Sequence, residues 1–140
     1  MKGIKEMKEL KRIDDVYIEE FDLYVKKYLT LAQIENIAQN VAQFETWAER
    51  EQTKNLMTFI YATGIEGDEE KVNAIDYDLY QENGVFEKVN AVIANSCLID
   101  KAIEYTCSTV RALYQLSNHL PEIVKPLKEV MERHGISTKK

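Results

Sequence analysis

The sequence predicts an all-α protein that folds as one compact bundle of five to seven helices, preceded by a short N-terminal arm. Apolar residues recur at intervals of three and four residues over much of the chain, which is typical of helices with one buried face. Glycine and proline are scarce, at five and two among 140 residues, so the chain lacks the turn residues of a sandwich or barrel. Two capping motifs also mark helix starts.

Length and composition indicate one domain. A chain of 140 residues can bury a real core, and an apolar fraction of 45% is too high for a disordered protein. We divide the sequence into a basic arm or short helix at residues 1–15, a helical domain at 16–136 and a tail at 137–140.

Residues 16–29 fit two patterns. Apolar side chains alternate along part of this segment, as they do in a strand. Ile18, Phe21 and Val25 also fall on one face of a helix, and we predict a helix here.

The segment Thr30-Leu-Ala-Gln33 is a capping box, in which the first and last side chains each bond the backbone of the other residue. Leu29 and Ile34 flank it at the positions of a hydrophobic staple. A helix therefore begins here, and its predicted buried residues are Ile34, Ile37, Ala38 and Val41.

Thr46-Trp-Ala-Glu49 is a second capping box, and the helix that it begins is predicted to end at Gly64, which adopts a left-handed conformation cheaply. Its predicted inward residues are Trp47, Leu56, Phe59 and Ile60.

Shorter helices are predicted after an acidic loop or helix start at residues 67–71. Asp76 can cap a helical turn, residues 85–94 form a helix, and Ser96 or Asp100 begins a longer helix that runs towards Asn118. The predicted apolar stripe of that long helix is Ile99, Ile103, Thr106, Val110, Leu113 and Ser117. A last helix is expected from Pro121 to Gly135, bent at Pro126.

No motif in the sequence indicates catalysis. His119 and His134 are predicted to lie at helix ends, and the glycines are too scattered for a phosphate-binding loop. The acidic clusters lack the partners of a calcium or zinc site. We therefore predict no catalytic residue, metal or cofactor.

Charge, hydropathy and cysteine usage indicate which partners and which cellular location to expect. A net charge of −6 argues against a nucleic-acid partner, since proteins that bind nucleic acids need a basic face. The charged N-terminus does not resemble a secretory signal, and no apolar run is long enough to span a membrane. Cys97 and Cys107 lie about 15 Å apart on one predicted helix, so we expect free thiols and a cytoplasmic location.

One stretch of the sequence is a candidate interaction surface. Aromatic and acidic residues occur together between positions 66 and 87, and aromatic residues are common in protein interfaces. The candidate residues are Asp68, Glu69, Glu70, Tyr77, Tyr80 and Phe86.

Three runs in residues 27–118 carry a resemblance to a class of proteins: Lys27-Tyr-Leu-Thr-Leu-Ala-Gln-Ile34, Trp47-Ala-Glu-Arg50 and Ile75-Asp-Tyr-Asp-Leu-Tyr-Gln-Glu-Asn-Gly84. They resemble small helical proteins of phages that infect Gram-positive bacteria. The resemblance implies a head–tail connector or adaptor subunit, present in the host cytoplasm during assembly and then in the virion. It transfers no functional residue, since these runs contain no invariant chemical motif.

Three functions are therefore compared. The first is a non-enzymatic structural subunit of a homo-oligomeric assembly, and the second is a small acidic binder that inhibits or regulates a host protein. The third is an enzyme whose site forms on folding, for example with Cys97 or Cys107 beside a histidine. We predict the first.

Overall fold

The computed structural model describes residues 10–119, which form a β-hairpin followed by six helices. Their bounds are β1 Val16–Ile18, β2 Leu23–Val25, α1 Leu31–Ala42, α2 Trp47–Thr63, α3 Glu69–Asn73, α4 Tyr77–Glu82, α5 Val85–Val92 and α6 Ser96–His119. The predicted mostly helical, compact fold is confirmed. Most of the predicted arm, the helix after Pro121 and the tail at 137–140 lie outside the described residues.

The prediction of a helix over residues 16–29 is wrong. β1 and β2 pair antiparallel, with Val16 opposite Val25 and Tyr17 opposite Tyr24, and a 3-10 turn joins them. Alternation is the decisive pattern here because Val25 points into the core, whereas the two tyrosines form a cross-strand pair on the exposed face with ring centroids 4.9 Å apart. The turn ends at Asp22, whose φ of 51° is a conformation that aspartate tolerates better than most residues.

The first capping box is present as predicted. The Gln33 amide donates to the Thr30 hydroxyl at 3.1 Å, and the Thr30 amide donates to the Gln33 side-chain oxygen at 3.0 Å. Leu29 and Ile34 are both buried, as the staple requires. The buried face of α1 consists of the four predicted residues Ile34, Ile37, Ala38 and Val41.

The second helix matches its predicted bounds but differs in detail. The Thr46 hydroxyl accepts a hydrogen bond from the Glu49 amide at 3.2 Å. The Glu49 carboxylate accepts from the Thr46 hydroxyl at 2.7 Å, and not from the Thr46 backbone amide as in a full capping box. Gly64 ends the helix with a φ of 69°. Trp47 is 78% exposed, so its predicted inward position is wrong, because α2 meets the core through residues in its C-terminal half, including Phe59.

The predicted Asp76 cap is present, and the acidic stretch at residues 67–71 is the start of a helix. Asp68 accepts a hydrogen bond from the Lys71 amide and Asp76 from the Leu79 amide, so both aspartates are N-caps. The helix α5 ends at Val92, two residues before the predicted end, because Ile93 turns to extended backbone and is buried.

The connector between β2 and α1, residues 26–30, is hydrogen-bonded to α2 and to the segment before α6. The Lys26 amide donates to the Ala62 carbonyl of α2 at 2.8 Å, and the Ala94 amide donates to the Lys27 carbonyl at 2.7 Å. Asn95 then bonds both backbone groups of Leu29: its side-chain oxygen accepts from the amide at 3.1 Å and its amide nitrogen donates to the carbonyl at 2.9 Å. These contacts place the start of α1 beside the start of α6.

Candidate interaction surface

The acidic half of the predicted surface is exposed. Asp68, Glu69 and Glu70 stand in solvent at the start of α3. Asp68 is already used locally, since it caps the helix and lies 3.9 Å from the Lys71 ammonium. The two glutamates are the carboxylates that this end of α3 presents for long-range attraction of a basic surface.

The aromatic half of the predicted surface belongs to the core. Phe86 is only 4% exposed, and its ring lies 5.7 Å from Phe59 in an edge-to-face contact and 5.0 Å from Tyr77 in a stacked one. Tyr77 and Tyr80 are half-buried, and the Tyr77 hydroxyl accepts a hydrogen bond from Asn55 at 3.0 Å. The inclusion of Phe86 in a contact surface is therefore corrected, because packing fixes this ring inside.

The helix α6 extends well beyond its neighbour. Because Asn95 bonds Leu29, α1 and α6 begin at the same end of the molecule. The helix α1 has 12 residues and α6 has 24, so their lengths are about 18 Å and about 36 Å. The second half of α6, residues 108–119, is therefore an extra length of about 18 Å, and only its first residues, including Thr109 and Val110, still line a groove with α1.

Burial along α6 follows this difference in length. Of the predicted apolar stripe, Ile99 is buried and Ile103 and Thr106 are half-buried. Val110 and Leu113 are exposed, the latter at 62%. The predicted stripe is thus a core contact only in the first half of the helix.

The second half of α6 exposes large apolar side chains and almost no charge. From position 105 to 117 the only charged residue is Arg111, whereas an exposed helix normally carries charged and polar residues. Clustered apolar side chains in solvent indicate a contact surface. Those exposed here are Tyr105, Val110, Leu113, Tyr114 and Leu116.

A groove between α1 and α6 continues this surface. It has a volume of about 610 Å³ and is lined mainly by apolar atoms, with Ile34 and Ala38 on one wall and Ala102 and Tyr105 on the other. Polar groups stand among the lining residues of both helices, including Glu35 and Lys101. Such a groove suits another helix better than a small polar substrate.

Sequence reasoning missed this second face of α6. Its signal is a heptad stripe one position away from the predicted one, in which residues recur at alternating intervals of four and three. The stripe consists of Leu98, Ala102, Tyr105, Thr109, Ala112 and Leu116. Alanine and threonine made it less apparent than the neighbouring stripe of larger residues.

A basic cleft lies at the other end of the sequence. It has a volume of about 400 Å³ and is lined by residues that include Lys11, Arg12, Lys26 and Lys27, and among the described residues Asp15 is the one carboxylate that lines it. Four cations around one cleft attract anionic groups. Its charge is opposite to that of the exposed end of α3.

Two ionisable groups among the described residues have a shifted pKa, and neither lies in the groove. A hydrogen bond from the Tyr17 hydroxyl to Asp22 raises the pKa of Tyr17. Burial lowers the pKa of Lys54, but hydrogen bonds and charges from Glu51 and Asp100 outweigh it, so the pKa is raised. The Tyr17–Asp22 hydrogen bond stabilises the hairpin turn, and the Lys54–Asp100 ion pair joins α2 to α6. Neither forms a reactive centre.

The described part of the chain contains neither a metal-binding cluster nor a helix that could span a membrane. Among residues 10–117, whose side chains are described, no three histidine, cysteine, aspartate or glutamate residues come together as a metal site. Cys97 is exposed and Cys107 half-buried, and both are free thiols. None of the helices within the described range is both long and apolar enough to cross a membrane.

Comparison of the chain with protein-family models, with curated proteins and with solved structures found no match.

Proposed function

We propose that this chain is a non-enzymatic assembly protein that works by contacting copies of itself within a larger structure. The exposed apolar second half of α6 is the observation that supports this proposal. Each buried Å² of apolar surface contributes about 25 cal/mol, so association stabilises a chain that otherwise leaves these side chains in water.

The finer proposal is a head–tail connector or adaptor subunit of a phage. It rests on the resemblance of residues 27–118 to small helical proteins of phages of Gram-positive bacteria. A ring of such subunits pairs unlike surfaces of neighbouring copies. The acidic start of α3 and the basic cleft at Lys11, Arg12, Lys26 and Lys27 supply unlike surfaces on one chain.

Sedimentation velocity over a wide range of protein concentration tests self-association. We expect species heavier than the 16.3 kDa monomer, with the population shifting to smaller species on dilution. Leu113→Lys should weaken the association, because it places a charge in the exposed apolar half of α6. Leu79→Lys is the matched control, since Leu79 is 52% exposed but lies on α4. A strict monomer at high concentration refutes the proposal.

Detection of the chain in purified virions tests the phage assignment. A connector or adaptor is expected at a fixed copy number in intact particles, at the junction between head and tail. Mass spectrometry of purified particles and antibody labelling in electron micrographs provide the two measurements. Presence in the lysate of infected cells together with absence from the particles contradicts this assignment while leaving self-association intact.

The exposed carboxylates of α3 support an alternative, a small acidic binder that docks on a basic surface of a host protein. In that case Asp68→Lys, Glu69→Lys and Glu70→Lys together abolish capture of one stoichiometric partner from a host lysate. They leave the sedimentation behaviour of the isolated chain unchanged. A triple variant that still captures the same partner contradicts this alternative.

A further inference from the structure

We infer that α6 pairs antiparallel with α6 of a second copy, across a two-fold axis close to Cys107. In this pair the projecting half of each helix lies in the α1–α6 groove of the other copy. The inference rests on the proposed self-association and specifies one contact of it, a two-fold contact that is separate from the contact between unlike surfaces in a ring.

The second stripe of α6 is symmetric in spacing about position 107, and two of its three residue pairs are identical. A two-fold contact requires a surface that is complementary to itself, so each residue must suit the residue that the axis places opposite. An antiparallel pair centred on position 107 brings together Leu98 with Leu116, Ala102 with Ala112, and Tyr105 with Thr109. Leucine meets leucine, alanine meets alanine, and the largest side chain of the stripe faces a small one.

This pairing has the packing features of two helices in close contact. The alanine pairs let the helix axes approach, and a large residue opposite a small one allows the side chains to interdigitate. The stripe contains no charged residue. At 3.6 residues per turn, Arg111 falls on the opposite side of the helix, so its charge stays in solvent.

The lengths of the groove and of the projecting segment agree. The groove follows α1, whose 12 residues span about 18 Å. Residues 108–119 also number 12 and span about 18 Å. An antiparallel pair therefore places each projecting segment along the whole groove of its partner, so that α1 and α6 of both copies form a four-helix arrangement.

The apolar surface is large enough for a specific contact. Each exposed large apolar side chain contributes on the order of 100 Å² when it is covered. The side chains on α6 that can be covered are Tyr105, Val110, Leu113 and Leu116, and together with Leu31 and Leu98 at the groove they give about 600 Å² per copy, or about 1,200 Å² for the pair. Tyr114 is not counted because it lies on the same side of α6 as Arg111. Specific interfaces begin near 1,000 Å² of total buried surface, so the contact reaches this size.

Crosslinking in the full chain tests the register. In a Cys97→Ser and Cys107→Ser background, Leu98→Cys combined with Leu116→Cys places thiols on facing positions of two copies. Within one chain these positions are 18 residues, or about 27 Å, apart, beyond the reach of a short bismaleimide. We therefore expect covalent dimers from the double-cysteine chain. Neither single-cysteine chain should form them, because identical positions are distant in an antiparallel pair.

Two outcomes overturn the inference. Crosslinked dimers from each single-cysteine chain indicate a parallel pair, and a chain that self-associates without crosslinking at 98 and 116 uses another surface. In both cases the proposed function survives. A strict monomer, as expected if residues after His119 cover the stripe within one chain, defeats the inference and the proposed function together.

A charge placed in the stripe provides an independent measurement in the native chain. Thr109→Glu puts a carboxylate opposite Tyr105 near the axis, and we expect the dimer dissociation constant to rise at least tenfold. Arg111→Glu is the matched control, because it changes charge on the opposite side of α6 and should leave the constant within twofold. Both positions are exposed, and circular dichroism verifies that the helices are retained. Equal effects of the two substitutions refute the inference.

Discussion

Asn95→Ala should destabilise the fold more than any other exchange of an amide side chain in the described residues. Asn95 bonds both the amide and the carbonyl of Leu29, which is only 3% exposed and lies 66 positions away. A hydrogen bond contributes about 1 kcal/mol net, and a buried group left without a partner costs about 1–3 kcal/mol. Since Asn95 is half-buried, water replaces part of what is lost. We expect a loss of about 2–3 kcal/mol.

Urea denaturation at a fixed protein concentration measures this loss, because self-association adds to apparent stability. With a slope of about 2 kcal/mol/M, the midpoint should fall by about 1–1.5 M. Asn73→Ala is the matched control at an exposed position of α3 and should move the midpoint by less than about 0.3 M. A midpoint for Asn95→Ala as close to wild type as that of the control would show that the Leu29 contacts do not stabilise the fold.

Three further substitutions test other parts of the fold. Ile37→Ala empties a fully buried position of α1 and should cost about 2–5 kcal/mol in urea denaturation; a loss below about 1 kcal/mol contradicts its central place in the core. Thr30→Ala removes the α1 cap and should cost about 1 kcal/mol, whereas Thr30→Ser should retain most of that stability. Lys54→Gln removes contacts with Glu51 and Asp100. Because those contacts raise the pKa of Lys54 above its ordinary 10.5, the stability difference from wild type should be complete below pH 10.5 and disappear as pH rises through the folded-state value. A difference that grows above pH 10.5 contradicts this assignment.

Local signals predicted most of the helical elements. The Thr30 capping box, the Gly64 end and the Asp76 cap each depend on contacts between residues close in sequence, so they could be identified without tertiary information. Residues 16–29 were mispredicted because two periodicities fitted them equally. The strand forms because Val25 packs into the core, and the rest of that core comes from distant segments that meet only in the folded chain.

The candidate surface was harder to predict than the fold. Tyr77 and Phe86 are aromatic residues in an acidic stretch, and sequence alone does not distinguish an interface ring from a core ring. The exposure of Leu113 depends on α1 being half the length of α6 and beginning at the same end. The shared starting end follows from the Asn95–Leu29 contact, which joins distant segments and has no local signature.

The projecting half of α6 also links folding to the amount of protein present. Most of its 12 residues pack against no other element of the described part of the chain, and an unpacked helical end of this length frays in water, since isolated helices shorter than about 12–15 residues are only marginally stable. Residues 108–119 should therefore exchange their amide hydrogens quickly in dilute solution and slowly in concentrated solution, while α1 and α2 exchange alike in both. In a cell that accumulates this chain, the second half of α6 would therefore become ordered as the protein concentration rises.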